Sequence, residues 1–350
     1  MHAVVRSLSL VALVLLFFPV ALHADESHDK VLEELVKHGA SIERDENAQG
    51  KPIIGINIIL SKAPASLLKQ MKVFPQLRSL EVSSRWPKKS EMTDEVINEL
   101  AGLQQLAFLN LDRAPITDAA MKSIGKLVNL EELNLCITDI SDEGIKEIAN
   151  LQKMRSLMLG AHPLETYGTR VTDEGLKHLQ KMKQLESLSL DGTRVTNWGL
   201  KQLKGFTKLT TLRLACTQVN SAGLKDVAAL NNLVYLDLRR SAVHDEGLSE
   251  LAACKKLTSL DLSETQVTAA GIESLKEIEH LQSLLLFRCP KISDKALKII
   301  PQFKELENLS LNGTAVTPQG VDELRKACPN LRITSDPAMN IQGLLKSLKK

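Results

Sequence analysis

Aromatic residues are scarce in this chain: Phe, Trp and Tyr together supply 3% of 350 residues. A core built around rings is therefore excluded, and the 43% hydrophobic content must pack as aliphatic side chains. Cysteine is sparse too. Cys136, Cys216, Cys254, Cys289 and Cys328 are odd in number, and none stands in a Cys-x-x-Cys pair. That excludes a disulfide-stapled scaffold. The eight histidines are scattered away from the cysteines, which excludes a Cys/His metal centre. The cysteines fall where other repeats carry small residues and read as inert core positions. Net charge is only +2, too little to imply a nucleic-acid partner. There is no Gly-rich phosphate loop, no serine nucleophile elbow and no zinc-binding helix motif. No cofactor is expected, and the chain reads as a non-enzyme.

Long apolar runs are absent but for one. It extends from Leu8 to Leu22 behind Arg6 and gives way to Asp25-Glu26 after Ala24. It is too short, and wrongly flanked, for a transmembrane helix. Residues 1–24 read as a signal peptide. The expected mature protein is secreted, or periplasmic in the cell envelope, with no membrane span.

Leucine at fixed intervals fills the remainder. Leu-x-x-Leu-x-Leu occurs at Leu106-Leu109-Leu111, Leu130-Leu133-Leu135, Leu209-Leu212-Leu214 and Leu233-Leu236-Leu238, commonly 24 residues apart. With variants from Ile53-Ile56-Ile58 to Leu306-Leu309-Leu311 it makes eleven copies. Five residues after each anchor comes a β-branched residue, then Thr or Ser, often Asp, and Gly-Leu, as in Val171-Thr172-Asp173-Glu174-Gly175-Leu176. Leu-x-Leu alternation puts one face of a short strand inward. Thr followed by Asp caps a helix and complements its dipole. One strand–helix unit cannot bury its own apolar face, so units must stack.

These motifs resemble leucine-rich-repeat proteins. The Val-Thr-Asp-Glu-Gly-Leu halves look most like the 24-residue repeats of secreted bacterial proteins of the planctomycete type. Leu284 to Asp294 is similar to the cysteine-containing repeats of F-box-associated receptors; Thr193, Thr217, Thr265 and Thr314 take that cysteine's place elsewhere. The resemblance implies an α/β fold: a right-handed solenoid or horseshoe with a parallel sheet on its concave face and short helices on its convex face. It implies a single array over residues 53–333. Residues 25–52 are expected to form a capping helix and hairpin, and residues 334–350 a solvated basic tail. Cys328-Pro329-Asn330-Leu331 reads as the break that ends the pattern.

Two units carry insertions between strand and helix, and register places both on one edge. They hold Trp86, Tyr167 and Arg170. Aromatic residues and arginine are what interface centres use, so this edge is one candidate contact surface, against the reading of tolerated loop variation. The second surface is the concave face. There Arg213, Tyr235, Asp237, Arg239, Arg240, Asp261, Phe287 and Arg288 fall close together, because chain position becomes spatial position in a register-locked array. The alternative is a solvated sheet whose charges pair across strands, such as Arg213 with Asp237. Asp237 and Asp261 are lateral neighbours, but an open sheet offers no enclosed acid pair, and the arginines are expected to keep both ionised. A protein ligand is the leading partner. A carbohydrate or cell-wall glycan is the alternative, and an F-box-type substrate receptor the second.

Overall fold

The computed structural model describes residues 26–59, 64–83, 93–160 and 168–335. The signal segment, both insertion centres with Trp86 and Tyr167, and the tail beyond Ser335 lie outside the described residues.

Thirteen strands form one sheet in chain order. They are β1 (Ser41–Arg44), β2 (Ile53–Ile59), β3 (Ser79–Ser83), β4 (Phe108–Asn110), β5 (Glu132–Asn134), β6 (Ser156–Met158), β7 (Ser187–Ser189), β8 (Thr211–Arg213), β9 (Tyr235–Asp237), β10 (Ser259–Asp261), β11 (Ser283–Leu285), β12 (Asn308–Ser310) and β13 (Arg332–Thr334). From β2 onward every pairing is parallel and the central leucines stand side by side, as in Leu212 beside Leu236. β1 runs antiparallel to β2, with Ile42 opposite Ile56, and follows a helix at Glu26–Lys37. Short helices return the chain behind the sheet, which makes the molecule a right-handed solenoid. The strand leucines, the β-branched residue of each loop and the inward helix positions fuse into one continuous buried cluster.

The array is one strand longer than its leucine pattern. Cys328-Pro329-Asn330-Leu331 does not end it: the chain turns there and lays down β13 beside β12. Ile333 fills the slot that leucine occupies elsewhere, opposite Leu309.

Three series of hydrogen bonds repeat along the array, two of them between units and one within each unit. The first follows each strand. Arg113, Ile137, Cys216, Arg240, Glu264 and Arg288 have φ between 51° and 62°, and Gly192 and Gly313 occupy the same repeat position. This left-handed turn points each N–H at the next unit, as in Cys216 to the Arg239 carbonyl at 2.7 Å and Arg288 to the Asn312 carbonyl at 2.7 Å. The sheet's hydrogen bonding thereby continues past the strand at a steric cost of about 1 kcal/mol per non-glycine residue.

The second series uses the hydroxyls that replace cysteine. Thr193, Thr217, Thr265 and Thr314 each donate to the leucine carbonyl three residues back, at 2.6–2.7 Å. Of the cysteines themselves, Cys254 and Cys289 are buried while Cys136, Cys216 and Cys328 are half-buried, and all five are free thiols. Burial pushes Cys136 and Cys254 up to about 11, so they stay protonated at neutral pH.

The third series runs along the helix starts. From Thr117 onward each threonine at a helix start caps its own helix, as Thr172 does by accepting from the Glu174 N–H. The aspartate after it serves the next unit. Asp142 Oδ1 accepts from the Thr172 N–H at 2.8 Å, and Oδ2 from the Thr172 hydroxyl at 2.6 Å. Asp118 does the same for Ser141, Asp173 for Thr196, and Asp245 for Thr268. The repeat glycine makes room for this staple. A methyl at Gly175 would fall inside van der Waals contact of Asp142 Oδ1, and one at Gly199 inside that of Asp173 Oδ1.

Candidate binding surface

Where it is Asn or Asp, the third residue of a short strand has a structural duty. Asn110 Oδ1 accepts from the Asp112 N–H and Asn134 Oδ1 from the Cys136 N–H, both at 2.9 Å, closing the turn into the left-handed residue. Asp237 and Asp261 perform the same duty, accepting from Arg239 N–H at 3.0 Å and Ser263 N–H at 2.9 Å. An uncharged amide suffices for that bond, so the charge at 237 and 261 is additional to what the fold requires.

That charge belongs to a chain of five groups crossing four strands. Arg213 Nε reaches Asp191 at 2.8 Å, and its Nη2 stands 3.7 Å from Asp237. The nearer partner is therefore Asp191 rather than the cross-strand Asp237. Arg239 forks onto Asp237 with Nη2 at 2.9 Å and Nε at 3.1 Å, and its Nε also reaches Asp261 at 3.2 Å. The acids lie underneath: the side chains of Asp237, Asp261 and Asp191 are 0%, 5% and 15% exposed. The arginines lie on top at 40% each. Tyr235 sits half-buried beside them.

Burial governs the titration here. It raises Asp261, with neighbouring Asp237 adding to the effect and the hydrogen bonds from Ser263 opposing it. It also raises Asp191 against the pull of Arg213. At Asp261 and Asp191, desolvation outweighs the charge of the neighbouring arginine. Burial likewise lifts the Tyr235 hydroxyl above its ordinary value, with Asp237 contributing. Hydrogen bonding to Asp237 holds Arg239 above the usual guanidinium range. Burial pulls Arg213 down, but Asp191 outweighs it and the group ends raised.

The structure thus brings together Arg213, Tyr235, Asp237, Arg239 and Asp261, and it buries the two aspartates that were expected to face solvent. The arginines lie at the surface with the tyrosine beside them, and the aspartates beneath hold the guanidinium groups in place. Arg240 stands apart on the left-handed column and faces Glu264 at 3.5 Å. Phe287 is 36% exposed on the neighbouring unit, with the Arg288 guanidinium 5.0 Å from its ring centre. On the loop edge, Arg170 pairs with Asp139 at 2.8 Å, while Trp86 and Tyr167 fall outside the described residues. Trp198 is 70% exposed at a helix start, with Lys201 Nζ 3.6 Å from its ring.

The pairing of Asp191 with Arg213 was missed from sequence, although the repeat places Asp191 on the concave face. It lies two residues past its strand, and only its 22-residue offset from Arg213, close to one repeat, could have signalled the pair. Among the described residues no group of three or more His, Cys, Asp and Glu side chains is placed to hold a metal, and no helix is long and apolar enough to cross a membrane.

Residues 67–267 match a family model described as a leucine-rich repeat region. A search of curated proteins finds no match. Among solved structures, an internalin from Listeria monocytogenes is similar, with 19% identity and a TM-score of 0.53 over 89% of this chain and 95% of that one. An internalin C2 from the same organism has 21% identity and a TM-score of 0.43 over 68% of this chain and 83% of that one. At such identities the likeness is one of fold.

Proposed function

Since the chain belongs to the leucine-rich-repeat proteins, we propose that it is a non-catalytic, exported scaffold that binds a protein partner. The export signal is residues 1–24, and the mature form works in the envelope or outside the cell. The seat is the concave face at Arg213, Tyr235 and Arg239, with Phe287 and Arg288 at its border. The loop edge of Trp86, Tyr167 and Arg170 is a second contact.

One observation carries this reading. Two arginines are half-exposed yet held in fixed orientation by three carboxylates sunk beneath them. Burying such acids costs several kcal/mol, which pairing only roughly offsets, so the device is a poor way to stabilise a sheet. It is a good way to present guanidinium forks without entropy loss on binding. With the acids underneath, a glycan's hydroxyl groups would meet donors and few acceptors, which favours protein over carbohydrate.

The test is retention of exported proteins on immobilised mature chain. Wild type is compared with Tyr235→Ala/Phe287→Ala, Arg239→Lys and Trp86→Ala/Tyr167→Ala, each checked for unchanged unfolding. A partner lost with the first two variants supports the concave seat. The same partner kept by both, and lost with the third, moves the seat to the loop edge. No protein retained by wild type overturns the scaffold reading.

A further inference from the structure

The Asp-to-Thr staple is not uniform along the array. It is complete at the junctions of Asp94 with Thr117, Asp118 with Ser141, Asp142 with Thr172, Asp173 with Thr196, Asp245 with Thr268 and Asp294 with Thr317. Between β10 and β11 it is missing. Ala269 stands where the aspartate would be, and the opposing Ser293 makes no such bond and no side-chain cap.

Two further differences fall on that same junction. The loop from Leu286 to Ile292 is one residue longer than the loop from Leu262 to Val267. The backbone bond that joins most successive loops, such as Arg194 N–H to the Val171 carbonyl or Ala315 N–H to the Ile292 carbonyl, has no counterpart from Lys291 to Val267, a loss shared with the junction before it, from Gln266 to Val243. The charged ladder of the concave face also ends here: Asp261 lies beside Leu285 in the sheet. What remains is the backbone ladder, the apolar core and a few softer contacts such as the Cys289 thiol to the Leu262 carbonyl at 3.1 Å. The β8–β9 junction, two earlier, also lacks the aspartate. It keeps paired hydroxyl bonds between Ser221 and His244, at 3.0 and 3.1 Å, and the Arg213–Asp237 contact.

In a one-dimensional array, stability is a sum of unit terms and junction terms, so the weakest junction divides it. We infer that the solenoid carries a built-in breakpoint between β10 and β11. Residues 283–335 open as one body while the array from β4 to β10 stays closed. The functional consequence rests on the binding surface proposed above. Phe287 and Arg288 ride on the body that opens and Tyr235 and Arg239 on the body that stays, so a partner touching both closes the breakpoint.

Hydrogen exchange followed by mass spectrometry on the full mature chain, without partner, tests this. The expected result is a step between β10 and β11: peptides from 283–335 exchange together, about tenfold faster than those of β8–β10, the scale of one to two lost hydrogen bonds. Ala269→Asp/Ala296→Gly, which rebuilds the staple and its space, should shrink the step. Asp245→Ala, which removes the same staple one junction earlier, should create a step between β9 and β10. Protection that declines gradually toward the C-terminus, or a step unmoved by both variants, overturns the inference. Failure of the partner reading alone would leave these exchange results intact.

Discussion

Asp142→Ala and Gly175→Ala should be strongly non-additive. Asp142 gives both oxygens to Thr172 in the next unit, one to a half-buried N–H and one to the hydroxyl. Hydrogen bonds to a charged acceptor contribute about 1.5–3 kcal/mol each when buried; with the site half-open, the loss is about 2–3 kcal/mol for the two. Gly175→Ala gains about 1 kcal/mol of helix propensity. It also drives a methyl into Asp142 Oδ1, an overpacking cost of about 2–3 kcal/mol, for a net loss of 1–2. With Asp142 already alanine that oxygen is gone, and only Val171 Cγ1 stays close, at 3.0 Å. The second substitution should then be neutral or mildly stabilising. The coupling is about 1.5–2 kcal/mol, within the range found for touching residues. Two natural junctions frame this expectation. Ala269 and Ala296 have lost carboxylate and glycine together, whereas Asp94 coexists with Ala120 where its partner Thr117 is exposed and has room to give. Urea unfolding of the four proteins by far-UV circular dichroism provides the measurement. Additivity within about 0.4 kcal/mol would show that the glycine is not there to admit the staple, and the reasoning would fail.

Arg239→Ala should destabilise the chain by about 2–3 kcal/mol, less than a fully buried pair because the arginine is 40% exposed. Adding Asp237→Asn should recover much of this, since the amide keeps the bond to the residue 239 N–H; a loss under about 0.5 kcal/mol in urea would refute the ladder's energetic role. Asp191 and Asp261 have folded-state values raised above the ordinary 3.8 by burial. The folded chain therefore binds more protons than the unfolded one just above that value, so their contribution to stability falls as pH rises from about 4 through the raised values and then levels. Asp191→Asn/Asp261→Asn should flatten that decline in melting temperature measured across pH 4–7, and an unchanged slope would count against it.

The solenoid was legible because a 24-residue period makes every unit repeat the same evidence, and Leu-x-Leu fixes which face is buried. The staple was half-legible. Thr172 before Asp173 reads as a local cap, and it is one; the aspartate's service to Thr196 lies 23 residues on, beyond any local rule. β13 escaped notice because Cys328-Pro329-Asn330 looks like a terminator and Ile333 stands for leucine. On the concave face, register placed Arg213, Tyr235, Asp237, Arg239 and Asp261 together but did not give their depth. Depth depends on the arginine side chains folding back over the acids, which is set by rotamers rather than by repeat position. The left-handed column was invisible for a related reason: Ile137, Cys216 and Glu264 are not residues that advertise positive φ.

The staple also has a direction, and it stops at both ends. Between Asp94 and Thr317 every junction has a carboxylate, an amide or a hydroxyl reaching forward, except the one at Ala269. At the front, the turn before Thr93 begins Pro64-Ala65 and offers no acidic side chain forward. At the back, Pro318 fills the position after Thr317 that aspartate holds in other units, and it too offers nothing onward. Antiparallel β1 seals the front edge of the sheet in the same spirit. The chain thus carries punctuation for its own length. A unit duplicated between these marks would meet staple partners on both sides, while one appended beyond either would have the backbone ladder and apolar core but no staple. An array of this kind gains complete junctions when it grows from its middle.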